Sequence, residues 1–284
     1  MAGGDVIRPF RWDVAQRSQL GSLPDVELKE PYREFETDLL RCAARVIAFG
    51  GDSDLIFVGR SPQPLFDLLS GLFFDTSWND RLRLLNVSLR YNGAPNSREQ
   101  RAIYPYLEEV GLEPHALARR KRCAALVDVV DTGWTLGVLV DLIKDFTDTV
   151  GAEWRAVARK IRIVGLTWRA QTSPNTWRWQ QHAEWVDRLR PYEIKNVSLP
   201  GRLATYLAGD APKTNYSFTP NSWGDEEATK PVHDKEARQA LALAVRLFDL
   251  GNDKDTRRRF ARALGRESAM TESWFRSLIL ELKR

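Results

Sequence analysis

The sequence predicts an α/β protein, a doubly wound and mostly parallel sheet with a C-terminal helical appendix. Three observations carry this expectation. Short, continuous apolar runs rich in β-branched residues recur at 55–58, 82–89, from 123 onward, at 160–167 and, more briefly, at 193–199; runs of that length and character suit strands buried on both faces. Segments of helical period lie between most of these runs, and strands alternating with helices favour parallel pairing. Beyond residue 234 the pattern changes to three amphipathic segments with no strand among them.

Taken in order, residues 1–30 are polar with scattered apolar positions and read as an arm or hood segment. Phe35, Leu39, Leu40, Ala43, Val46 and Ile47 follow helical spacing, with Pro31 near the start and Gly50-Gly51 ending the helix. The run at 55–58 breaks at Gly59-Arg60-Ser61-Pro62 and gives way to a helical pattern through Leu65, Phe66, Leu68, Leu69 and Leu72. Arg60 and Ser61 therefore fall at the carboxyl end of a strand, where open α/β sheets bind ligands. The run at 82–89 ends at Arg90-Tyr91-Asn92-Gly93, and Ile103, Tyr106, Leu107 and Val110 share a helical face that Gly111 closes.

Arg119-Arg120-Lys121-Arg122 enters the central strand at its amino end. The cluster reads either as a solvated strand entrance or as a nucleic-acid contact on the rim away from the Asp/Thr/Gly turn. The central strand is followed by a crossover helix over 136–146. Trp168, Trp177, Trp179 and Trp185 are dense between the last two strands; they either stack on a planar base or pack a loop onto the sheet. Residues 209–233, rich in Pro, Asn, Ser, Thr and Gly, read as a linker or long loop. The segments 237–250, 255–264 and 271–282 form the helical appendix, the middle one a basic helix whose Arg257, Arg258, Arg259 and Arg262 read either as a solvated face, the commoner case, or as a contact to RNA or DNA.

Composition bounds the function. Apolar residues at 43% and aromatics at 10% supply a core and argue against global disorder. A net charge of +4 is too mild to require nucleic acid and leaves room for an anionic small molecule. Cys42 and Cys123 sit in apolar stretches and are expected to be buried and reduced, as in a cytoplasmic protein. His115, His182 and His233 lack metal-ligand spacing. No run is apolar enough for a membrane span, and 1–30 lacks a signal-peptide core, so a soluble protein without a membrane partner is expected. The oligomeric state stays open, a homo-oligomer included.

The stretch CAALVDVVDTGWTL, residues 123–136, carries the chemistry. An apolar strand delivers Asp128 and Asp131, and Thr132-Gly133-Trp134-Thr135 turns into a helix. Backbone N–H groups at a helix start are unpaired and the dipole there is positive, so an anion fits. A Walker loop, a GxGxxG fingerprint and a Gly-x-Ser-x-Gly elbow are all missing from the sequence. Asp128 and Asp131 have two residues between them, where a haloacid-dehalogenase-type phosphatase needs acids separated by one.

Residues 128–135, DVVDTGWT, at the end of an apolar strand resemble the PRPP-binding signature of type I phosphoribosyltransferases (PRTases): a hydrophobic strand, two adjacent acids, two variable positions, then Asp-Thr-Gly-x-Thr. The likeness extends over residues 50–200, where the order of elements is compatible with a PRTase-like fold. It implies that Thr132, Gly133, Trp134 and Thr135 cradle the ribose 5-phosphate of PRPP. Asp128 would meet the ribose hydroxyls and Mg²⁺, and Asp131 would lie near the nucleobase nitrogen. Arg60 and Ser61 fall where the family has its pyrophosphate loop. The first acid of the family's pair is here Val127. Two functions follow as expectations: Mg²⁺-dependent transfer of ribose 5-phosphate from PRPP to a nucleophile, or a non-catalytic module of the same fold that senses PRPP or a nucleotide and acts through its C-terminal helices.

Overall fold

The structure is a computed structural model describing residues 6–89, 94–171, 178–190 and 193–284. The strand end assigned to 90–93 and Trp177 lie outside the described residues. Five strands, β1 (Ser53–Val58), β2 (Leu82–Leu85), β3 (Cys123–Val129), β4 (Ile161–Trp168) and β5 (Ile194–Leu199), form one all-parallel sheet in the order β2-β1-β3-β4-β5. Successive strand residues face opposite sides, so each strand feeds two cores. Leu55, Phe57, Ala125, Val127, Val164 and Leu166 face one. Ile56, Val58, Ala124, Leu126, Ile161 and Ile163 face the other. Burial on both faces is what the continuous apolar runs encode.

The helices are α1 (Phe35–Gly50), α2 (Gln63–Leu72), α3 (Ser97–Glu109), α4 (Pro114–Arg119), α5 (Trp134–Thr149), α6 (Trp154–Ala158), α7 (Gly201–Thr205), α8 (Lys235–Asn252), α9 (Lys254–Leu264) and α10 (Ser273–Glu281). Those from α3 to α6 cover one face of the sheet. The first two and the last four cover the other. Local chemistry sets several starts. Asn96 and Glu99 form a reciprocal capping box on α3, Glu113 caps α4, and the Asp234 and Asp253 carboxylates accept N–H bonds at 2.8 Å from Ala237 and Thr256.

Two segments differ from expectation. The strand read over 82–89 ends at Leu85, because Asn86 N–H donates instead to the Tyr106 hydroxyl at 2.9 Å and Ser88 N–H to Phe218 O at 2.9 Å. The C-terminal helices belong to the main core rather than forming an appendix. Leu243, Leu247, Phe260, Phe275 and Leu278 are buried in the same cluster as α1, α2 and the sheet. Gly71 on α2 and Gly251 on α8 meet so closely that a Cβ on either would overlap the other helix's backbone. Of the two readings of 209–233, the structure takes the long loop: a strap with Phe218 and Trp223 buried against the α3 side of the sheet.

The basic cluster at 119–122 sits at the amino rim, where Arg120 and Arg122 both pair with Asp54 at 3.1 and 2.9 Å. Cys42 is buried, whereas Cys123 is half-exposed where β3 begins; both are free thiols. Among the described residues no helix is long and apolar enough to cross a membrane.

Candidate functional site

With the order β2-β1-β3-β4-β5, the chain reverses its direction of travel between β1 and β3. The loops leaving those neighbouring strands diverge and open a crevice at their carboxyl ends. Phe57 on β1 lies beside Val127 on β3, so Gly59-Arg60-Ser61 and Asp128–Thr135 emerge side by side. They line a cleft of about 340 Å³ that takes in Arg60, Ser61, Asp128, Asp131 and the whole 132–135 turn. All eight residues singled out in the sequence thus meet at one rim.

The turn is shaped by two glycines with left-handed backbone. Gly59, at φ 76°, ends β1 and donates its N–H to Leu85 O at 2.8 Å. Gly133, at φ 81°, is the N-cap of α5, and its O accepts from Gly137 N–H at 3.0 Å. Gly133 has no side chain with which to cap the helix, and the Trp134 N–H donates to the Thr132 hydroxyl at 3.4 Å. The start of α5 therefore presents first-turn N–H groups and the positive end of the helix dipole to an anion, with the Thr132 hydroxyl beside them. Trp134 is largely exposed, and its indole N–H donates to Leu89 O at 3.1 Å, which ties the segment after β2 to α5.

Val127 and Asp128 go to opposite faces because strand side chains alternate. Val127 is buried against the α1 and α2 side, in the apolar cluster with Phe57 and Val164. Asp128 is mostly buried but reaches the cleft, and one carboxylate oxygen accepts from Val129 N–H at 2.7 Å. A carboxylate at 127 would be desolvated in that apolar layer. Asp131 is exposed and accepts from Gln171 Nε2 at 3.2 Å, and Gln171 in turn accepts from the Thr167 hydroxyl at 2.7 Å.

Two of the tryptophans take the packing role. Trp179 and Trp185 are buried and stacked on each other, centroids 5.6 Å apart, beneath the start of α5. The Trp179 indole N–H donates to Asn196 at 3.0 Å. They pack structure. Trp168, at the end of β4, lines the cleft.

Sequence reasoning missed the other wall. Lys213, Ser217 and Thr219 from the strap line the same cleft as the 132–135 turn. Arg60 donates to Asn215 O at 3.0 Å and Ser217 Oγ at 2.6 Å, which binds the strap to the first βα turn. Asn215 is buried; its amide donates to Phe10 O and its oxygen accepts from Asn86 at 3.2 Å. Burial pulls the Arg60 guanidinium below its usual pKa, against the opposing attraction of Glu236. Burial, and then repulsion from Arg60, lowers the Lys213 ammonium to about 8. Two partly desolvated cations in the same cleft as the start of α5 make a site suited to an anion. The signal was present in the sequence as Phe218 and Trp223, large apolar residues unusual in a solvated linker.

Among the described residues no group of three or more His, Cys, Asp or Glu side chains is placed to hold a metal ion. Asp128 and Asp131 are the acids of the cleft. Mg²⁺ is commonly held by one or two carboxylates together with ligand phosphates and water, and this donor set fits that mode. No protein-family model, curated protein or solved structure matches this chain.

Proposed function

We propose that this cleft binds PRPP, or a ribose 5-phosphate group, and that the protein is a PRTase-like transferase moving that group to a nitrogenous acceptor. The observation that carries the reading is the meeting of Arg60, Asp128 and the 132–135 turn in one crevice at the β1/β3 switch point. Each part has a task. The first-turn amides of α5 and the hydroxyls of Thr132 and Thr135 receive the 5-phosphate. Asp128 accepts hydrogen bonds from the ribose hydroxyls. Arg60, Ser61 and Lys213 face the diphosphate.

In such a transfer the bond from the anomeric carbon to the diphosphate oxygen breaks, and a bond to the acceptor nitrogen forms. Positive charge grows on the sugar while negative charge gathers on the leaving group, and cations placed beforehand lower that barrier. Arg60 and Lys213 supply that charge, and the Asp128 carboxylate stabilises the sugar cation. Mg²⁺ carried in with the diphosphate would be held by Asp128 and would further neutralise the leaving group. Trp134 and Trp168 offer aromatic surfaces at the cleft for a planar acceptor.

Purified protein with PRPP, Mg²⁺ and a nucleobase panel should release pyrophosphate with one acceptor. A second reading, favoured by Val127 in place of the family's first acid, keeps the fold as a binding module. Calorimetric PRPP binding without pyrophosphate release from any acceptor would decide for that module. Absence of PRPP binding sinks both.

A further inference from the structure

A second cavity, of about 560 Å³, lies on the α1 and α9 side of the carboxyl rim. Its chemistry differs from that of the first. Six arginines line it: Arg41 and Arg45 on α1, Arg169 just after β4, Arg259 and Arg262 on α9, and Arg266 in the turn that follows. Among the described lining residues two carboxylates join them, Asp38 and Glu267. Arg41 reaches Asp38 at 3.7 Å, and Arg45 donates to Ser198 O at 3.4 Å. Arg259, Arg262 and Arg266 have no ion pair among the described residues.

This concentration is a product of the fold. Arg41 and Arg45 are one helical turn apart and share a face of α1. Arg259, Arg262 and Arg266 follow the i, i+3, i+7 spacing that lines one side of α9 and its last turn. The two helices pack against each other, with Val46, Ile47, Phe260, Ala261 and Leu264 in one buried cluster, and the basic rows stand on the walls of one groove. Trp168 lines the first cleft and the next residue, Arg169, lines this groove, so the two are neighbours along the rim.

Three features indicate the kind of ligand. All six arginines are exposed, as suits a polyanion laid over a surface more than a small anion enclosed in a pocket. Guanidinium forks bind phosphate oxygens in pairs and keep their charge at any ordinary pH. None of the described residues that line the groove is aromatic, so none of them offers a platform for unstacked bases. We infer that this groove binds the phosphate backbone of a nucleic acid without reading its bases. The inference does not rest on the reading of the first cleft.

The test is fluorescence anisotropy of the full chain with labelled 20-base-pair RNA and DNA duplexes of two unrelated sequences, over a salt series. Arg259→Ala/Arg262→Ala/Arg266→Ala is compared with Arg119→Ala/Lys121→Ala/Arg155→Ala, which removes the same charge from exposed positions on the α4 and α6 side. The groove variant should weaken binding at least tenfold for both sequences. It should also flatten the slope of log affinity against log salt by about 0.9 for each phosphate of a DNA duplex that is no longer neutralised. The control variant should bind as the unchanged protein does, and both should keep its thermal unfolding midpoint. Equal affinity of the two triple variants overturns the inference. So does an unchanged protein that binds no duplex at low salt, or one that binds inorganic triphosphate or anionic vesicles in the groove while leaving duplexes free. Asp128→Asn, which tests the first cleft, should leave duplex affinity unchanged, so failure of one site is distinguishable from failure of the other.

Discussion

The Trp179 indole packs directly against Gly133: a Cβ built on that glycine would stand 2.6 Å from Trp179 Cε3. A buried tryptophan from the segment after β4 thus dictates the residue at the helix N-cap that faces the cleft. Gly133→Ala meets both this contact and the cost of left-handed backbone. It should destabilise the fold by about 1–3 kcal/mol and abolish phosphate-ligand binding, measured by urea unfolding and calorimetry. Wild-type stability and affinity in this variant would remove the structural basis for the turn.

Arg60 joins the first βα turn to the strap through Asn215 O and Ser217 Oγ. Arg60→Ala should lower affinity for PRPP more than tenfold, since charge-assisted bonds are worth about 1.5–3 kcal/mol. Ser217→Ala removes only the strap's side of one bond and should cost less than threefold. A titration in which the two variants lose affinity equally would show that the strap, and not the guanidinium, makes the contact with ligand.

Lys213 sets a pH dependence. Its folded-state pKa, about 8, lies below the ordinary value of 10.5. Between these limits the unfolded chain binds more protons than the native protein, so stability should rise with pH from about 8 to 10.5. Lys213→Met should flatten that rise in denaturation midpoints taken across the range. A phosphate ligand draws the proton back onto the ammonium. Calorimetry at pH 8 in buffers of different ionisation enthalpy should therefore record proton uptake on binding, which Lys213→Met should abolish.

Asp128→Asn should weaken PRPP binding with little change in stability, because Val129 N–H can donate to the amide oxygen. Asp131 is exposed and tied to Gln171, so Asp131→Asn should change acceptor dependence more than PRPP affinity. Equal, unaltered affinities in both variants would place the ligand elsewhere.

Truncation after residue 233 should leave an unfolded or aggregating chain. It uncovers α1, α2 and the sheet where Leu243, Leu247, Phe260 and Phe275 now pack. Gly251→Ala tests the same junction with one methyl group, whose overlap with the α2 backbone should lower the unfolding midpoint by several degrees. A folded truncated protein in hydrogen-exchange measurements would restore the reading of these helices as an appendix.

Local pattern determined much of this protein. Apolar runs specified strands buried on both faces, helical spacing specified α1, α2 and α8, and Asp-Thr-Gly-x-Thr after a strand marked the cleft, because each is written in neighbouring residues. Tertiary structure decided the rest. The sequence period of the last three helices shows an apolar face but not the surface it meets. The strap was hidden for the same reason: Lys213 and Ser217 lie about 150 residues from Arg60, and only the folded sheet brings them together. The arginine groove likewise needs α1 and α9 to pack side by side. A periodic face is a property of one segment, whereas a site with walls is a property of the contact between segments.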